Sequence, residues 1–219
     1  VRMDTKLRNS VIQASAEWNL GGNSFGLGQV RIPKLTFADL QELGFLGDPT
    51  KELAFRGEVE GEMAFSGPVL QPEKWTGLAK ITRLEVEPVR GLPGTQRVDP
   101  SRLLLRNREP LIAQVDANGV TMQAVHLIAQ GTDLEVTGAV GFKTRNPWNL
   151  RVKGTLSLPT LSPFEPDLIA TGVSVIDASV RGSYERPQLQ GRMEVRNASF
   201  RLRDVPNGLS RANGVIVFD

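Results

Sequence analysis

The sequence predicts an all-β protein: one elongated, curled antiparallel sheet, with a single short helix as the exception. Three observations lead there. Apolar residues fall on every second position in segment after segment, the mark of strands with one apolar and one polar face. The 219 residues include 22 Gly and 14 Pro, which suits many short strands joined by turns. The run from Thr132 to Leu158 carries one pattern twice. Leu134, Val136, Val140 and Phe142 alternate around Gly138, and Leu150, Val152, Leu156 and Leu158 alternate around Gly154. Asn146-Pro147 between them is a turn signal, so the two read as antiparallel neighbours whose apolar residues share a face.

In chain order, Ile12, Ala14, Ala16, Trp18 and Leu20 make a first strand, turned by Gly21-Gly22-Asn23-Ser24, and Val30 and Ile32 begin another. Thr36 then stands as N-cap of a helix over residues 37–43, with Gly44 where a C′ glycine belongs and Phe37, Leu40 and Leu43 on its apolar side. Leu53, Phe55, Val59, Met63 and Phe65 alternate with Gly57, Gly61 and Gly67 on the same parity. Glycine inside a strand has no side chain to pack, so its recurrence here suggests room on the apolar face or bends in a curved sheet. Leu84 and Val86 close a further strand, and Pro93-Gly94-Thr95-Gln96 is a loop. Leu103 and Leu105 start the next run, with Arg102, Arg106 and Arg108 on the other side. Val120 and Met122 change parity to Val125 and Leu127, which predicts a bulge.

After the paired repeat comes a proline-punctuated loop from Leu161 to Leu168, then a strand with Val173, Val175, Ala178 and Val180. Leu189, Met193 and Val195 alternate around Gly191, followed by Ala198, Phe200 and Leu202. Val215 and Val217 point one way, Ile216 and Phe218 the other. The total is about fifteen strands at all-β spacing, added in chain order as a meander over a single elongated segment, residues 1–219.

Composition narrows the chemistry. Lys plus Arg at 26 against Asp plus Glu at 24 leaves a net charge of +2, and no basic run interleaved with aromatics appears, so nucleic acid is not an expected partner. The absence of cysteine removes thiolate nucleophiles, disulfides and Cys-ligated metals. No signal-peptide pattern opens the chain, and no run of ~18 apolar residues could span a bilayer. The opening at Val1 and the strand-like ending read as part of a longer protein. His126 is the only histidine, without an HExxH or carboxylate spacing around it, and reads as an incidental strand residue. Glu58, Glu60 and Glu62, like Glu85 and Glu87, sit at i, i+2 on one strand face and read as solvated. Gly26-Leu27-Gly28 lacks the lysine and helix of a phosphate loop. Neither a catalytic group, a metal nor a cofactor is expected.

So many strands with one apolar face must close into a barrel, pair as a sandwich, or curl so that the apolar face lines a groove. The opposite face is charged, with Arg151, Lys153, Arg192, Glu194, Arg196, Arg201 and Arg203, which argues against a second layer there. Chain-order pairing gives length rather than closure. The residues expected to line such a groove are Leu134, Val136, Val140, Phe142, Leu150, Val152, Leu156, Leu158, Leu189, Met193 and Val195. By periodicity alone the same residues would equally fill a sandwich core.

The stretch from Gly182 resembles the C-terminal region of the TamB family, the translocation and assembly module proteins related to AsmA-like, bridge-like lipid transfer proteins. The resemblance is carried by Gly182-Ser183 with Pro187-Gln188-Leu189-Gln190-Gly191, by Val195-Arg196-Asn197-Ala198, and by Leu209 leading through Asn213-Gly214 to Phe218-Asp219. Gly131-Thr132-Asp133-Leu134 and Gly154-Thr155-Leu156-Ser157-Leu158 also fit, so it covers roughly residues 120 to 219. It implies a periplasmic, taco-shaped hydrophobic groove in a parent protein anchored in the inner membrane outside this sequence. It further implies phospholipids as the cargo and an outer-membrane barrel protein as partner. The alternative role is a chaperone-like scaffold for assembling outer-membrane β-barrels.

Overall fold

The computed structural model describes residues 2–7, 10–19, 24–42, 53, 55–88, 104–161, 168–183, 186–202 and 207–219. The strands are β1 (Arg2–Leu7), β2 (Ser10–Trp18), β3 (Phe25–Thr36), β4 (Phe55–Pro68), β5 (Thr76–Pro88), β6 (Leu105–Asn107) and β7 (Leu111–Asp116). They continue as β8 (Gly119–Ala129), β9 (Thr132–Gly141), β10 (Trp148–Ser157), β11 (Leu168–Gly182), β12 (Pro187–Leu202) and β13 (Leu209–Phe218), with one helix, α1 (Phe37–Glu42). Leu20, the Gly21–Asn23 part of the first turn, Leu43, Gly44, Arg102, Leu103, the loop at 93–96, the proline loop from 162 and Arg203 lie outside the described residues.

The thirteen strands among the described residues all belong to one antiparallel sheet, in chain order. β6 and β7 share one position, both lying between β5 and β8, so the sheet has twelve positions across its width. At ~4.8 Å per strand that is about 53 Å. The chain exposes 14130 Å², where a compact globule of its mass would expose about 9,900 Å². Among the described residues no second sheet lies over this one, which accounts for a difference in that direction.

The interruption between β6 and β7 is mended by side chains. Asn107 Oδ1 accepts the Leu84 N–H at 2.7 Å, and its Nδ2 donates to the carbonyls of Thr82 at 3.3 Å and Glu109 at 2.8 Å. On the other side the Glu109 carboxylate accepts the His126 N–H at 2.6 Å. Peptide groups that the broken strand would leave unpaired are thereby satisfied.

α1 begins as the sequence predicts. Thr36 Oγ1 accepts the Asp39 N–H at 3.2 Å and donates to Asp39 Oδ2 at 2.8 Å, an N-cap with a reciprocal carboxylate. Ser10 Oγ donates to the same carboxylate and accepts the Thr36 N–H at 3.0 Å, tying the helix start to β2. Phe37 packs edge-on against Phe55, ring centroids 6.1 Å apart. Asp39 and Gln41 are buried along with Phe37 while Leu40 is only half-buried, so the helix is not the apolar-sided element expected.

Bulges interrupt the ladder where the sequence changes parity, including between Met122 and Val125 of β8 as expected. Each bends the strand that carries it. β11 corrects one reading. Val175 pairs with Glu194 on the charged face and Val173 points the same way, while Ser174, Ile176, Ala178 and Val180 take the apolar face.

Candidate functional site

Cross-strand partners share a face, so the registers trace the apolar surface from strand to strand. Ala14 lies opposite Val30, Val30 opposite Met63, and Met63 opposite Ala79, which faces Ala113. Ala113 faces Met122 and Met122 faces Gly138, which faces Leu150. Leu150 then faces Val180, and Val180 faces Leu189. One apolar face therefore runs from β2 to β12 and on to Ile216 and Phe218 of β13, which pair with Met193 and Gly191. The buried strand hydrophobics Leu35, Ala113, Val125, Leu156, Ala170, Ala178, Met193, Val195 and Ala198 all lie on it.

Ten of the eleven residues singled out from sequence are on this face or continue it. Val136 sits opposite Val152, Val140 opposite Trp148, and Leu134 opposite Gly154. Leu156 and Val195 both pair with Ser174, and Met193 with Ile176. Leu158 lies just beyond β10 and is fully buried in a small cluster with Ala170, Met193, Val195 and Ala198. Leu156, Leu158, Met193 and Val195 are thus packed against protein, whereas Leu134, Val136, Val140, Leu150 and Val152 are half-buried and Leu189 is exposed. Phe142 falls past the end of β9, where its N–H donates to the Asn118 carbonyl at 2.8 Å and its side chain is exposed. The N-terminal half of the face, with Val30, Val59, Met63, Ile81 and Met122, was missed as a site. Its alternation is visible in the sequence, but its pairing is not.

Gly138 and Gly154 on this face do not leave room. A Cβ at Gly138 would run into the Asn149 carbonyl oxygen, and one at Gly154 into that of Asp133. Both have φ in the region that favours glycine, +130° and +140°. They are close approaches of backbone to backbone that bend the strands. In the N-terminal half the space is filled by rings, with Phe65 over Gly28 and Trp75 over Gly67, the two rings 5.2 Å apart.

The opposite face carries ion pairs, interspersed with exposed Leu27, Leu78, Val173 and Val175. Lys34 meets Glu58 at 2.6 Å, Arg83 meets both Glu60 and Glu85 at 2.9 Å, Lys153 meets Glu135 at 2.9 Å and Arg151 meets Asp177 at 3.0 Å. Glu87 pairs with Arg56. His126 Nδ1 lies 2.8 Å from Asp133 Oδ1, and Arg108 reaches Asp133 Oδ2 at 2.6 Å. The hydrogen bond from His126, and then Arg108, holds the Asp133 carboxyl below the usual carboxylate range. The histidine thus has carboxylate neighbours that linear spacing hides. Among the described residues no group of three or more His, Asp or Glu is arranged to hold a metal, and no helix is long and apolar enough to cross a membrane.

Among the described residues, the cavities against the charged face include the following pair. One of about 860 Å³ spans β2 to β8 between Glu17 and Asp116, with Gln29, Ser66, Thr76 and Gln114 on its floor. The Asp116 carboxyl is held low by the N–H groups of Asn118 and Gly119. The other, about 550 Å³, lies beside Arg151, Asp177 and Arg192. No family model, curated protein or solved structure matches the chain.

Proposed function

We propose that this chain is a segment of a lipid-conducting surface, its apolar face carrying phospholipid acyl chains past β2 to β13. The observation that carries this reading is the continuity of that face from β2 to β13, with no second sheet among the described residues to cover it. Sliding binding of this kind needs only an even apolar lane. Each methylene removed from water contributes ~0.8 kcal/mol, and neighbouring strands offer similar side chains, so a chain can advance without a deep trap. The ion-paired opposite face stays in water. The resemblance to the TamB family supports the wider setting: a periplasmic stretch of a protein anchored in the inner membrane, moving phospholipid between inner and outer membranes beside an outer-membrane barrel protein.

The test is a photo-crosslinking side chain at Val152, half-buried on the apolar face, compared with Val175, exposed on the charged face. Phospholipid adducts at 152 well above those at 175 are expected. Equal yields, or none at either position, defeat the proposal. Adducts to unfolded outer-membrane protein instead of lipid would establish the chaperone-like scaffold in its place.

A further inference from the structure

The cavity spanning β2 to β8 is a trough that runs across the strands. Its side chains come in two parallel rows, each in unbroken register. In the first, Glu17 lies opposite Leu27, Leu27 opposite Ser66, Ser66 opposite Thr76 and Thr76 opposite Asp116. In the second, Gln29 lies opposite Ala64, Ala64 opposite Leu78 and Leu78 opposite Gln114. Members of the two rows alternate with inward-facing residues along each strand, so the about 860 Å³ between them is long and narrow.

The charge of the trough is one-sided. Glu17 stands at one end of the first row and Asp116 at the other, and none of the described side chains lining the trough is cationic. Elsewhere on this face acids sit beside bases, as Glu58 does with Lys34 and Asp177 with Arg151. Asp116 Oδ1 accepts the N–H groups of Asn118 and Gly119 at 2.7 and 3.0 Å, which favours its charged form. Between the two acids lie the hydroxyls of Ser66 and Thr76, with Leu27 and Leu78, 55% and 51% exposed, on either side. A ligand that matches is linear, cationic at both ends, and built of methylenes and N–H donors between. Four strand steps of ~4.8 Å set the two acidic positions ~19 Å apart.

We propose that the trough binds a linear polyamine of spermine length, one terminal ammonium at Glu17 and the other at Asp116. Extended, with bonds of ~1.5 Å, spermine holds its terminal nitrogens ~16 Å apart. A charge-assisted hydrogen bond of ~2.8 Å at each end completes the span. The methylenes lie along Leu27 and Leu78, and Ser66 and Thr76 accept hydrogen bonds from the inner ammonium groups. Putrescine, with ~6 Å between its nitrogens, reaches one carboxylate but not both. An extended peptide fits less well, because its backbone amides would face the leucines unpaired. The trough lies on the face opposite the apolar lane, so the proposal is independent of lipid conduction.

Titration calorimetry of the unmodified chain at ~0.15 M salt tests it. The net charge of the chain is +2 and the Debye length in that salt is ~8 Å, so attraction by the molecule as a whole does not hold a polycation. Spermine should bind at least about tenfold more tightly than putrescine, through its second charged contact. Glu17→Gln and Asp116→Asn should each weaken spermine about tenfold and close most of that gap. Both positions are exposed, and asparagine still offers an oxygen to the two turn N–H groups, so an unchanged circular dichroism spectrum is expected. Leu78→Lys, at an exposed position, sets a like charge in the trough and should abolish binding. Glu194→Gln, on the same face outside the trough, should change nothing. No binding of spermine overturns the proposal, as do equal affinities for the two amines. So does a spermine affinity unmoved by the three trough variants, or one lowered as much by Glu194→Gln.

Discussion

Val136 and Val152 stand directly opposite each other across β9 and β10, both half-buried on the apolar face. They are protected by their strand neighbours rather than by a layer above, so a charge placed there reaches water at little cost to the fold but interrupts the apolar lane. Val152→Arg is therefore expected to reduce co-purifying phospholipid about tenfold, the factor that ~1.4 kcal/mol of lost contact carries. Native mass spectrometry of the two proteins makes the comparison. Undiminished lipid would move the binding site elsewhere.

Gly154 tests the backbone. Its φ of +140° and the Asp133 carbonyl beside it exclude a side chain. Gly154→Ala should cost on the order of 2–3 kcal/mol, as strain of this kind does, in urea unfolding. Gly214→Ala, where a Cβ meets open space, should cost far less.

Thr36→Ala removes the acceptor for the Asp39 N–H and one of the two hydroxyl donors to the Asp39 carboxylate. A loss of about 1 kcal/mol is expected from the cap. Asp39→Ala should lose more, because buried Ser10 is left without its acceptor. Thermal unfolding of both variants ranks the two effects.

The depressed Asp133 carboxyl makes a pH prediction. Because its folded-state pKa lies below the unfolded value of about 4, its ion pairing contributes stability above that value. The contribution is lost as pH falls through the folded-state pKa. Asp133→Asn should lower the melting temperature slightly at neutral pH, and the two curves should converge in acid. Melting profiles across the acid range decide it, and parallel curves would show that the pairing contributes nothing.

Much of the fold was legible because its organising signal is local. Alternation at period two sets the face of each strand, and the Thr36 cap and the Val125 parity change are written within a few residues. What stayed hidden depends on register between strands. His126 meets Asp133 only because β8 and β9 pair with Ala129 opposite Thr132, bringing residues seven apart onto the same face two rungs from each other. The strand holding Val173 and Val175 misled because it is apolar on both faces, so parity could not be assigned from composition. The glycines misled for another reason: from sequence, an absent side chain looks like space, whereas here a neighbouring carbonyl or ring already occupies it.

The Asn107 and Glu109 repairs give the sheet a rung held by side chains. An amide bonded to the carbonyl of a neighbouring strand is released to solvent only when the two strands separate. The amides of Leu84 and His126 are held by side-chain oxygens, so one rotamer change frees them while the strands stay in register. Hydrogen exchange at these two positions should consequently run on the clock of side-chain motion, making 107–109 the crease along which the two halves of the sheet change their mutual angle first.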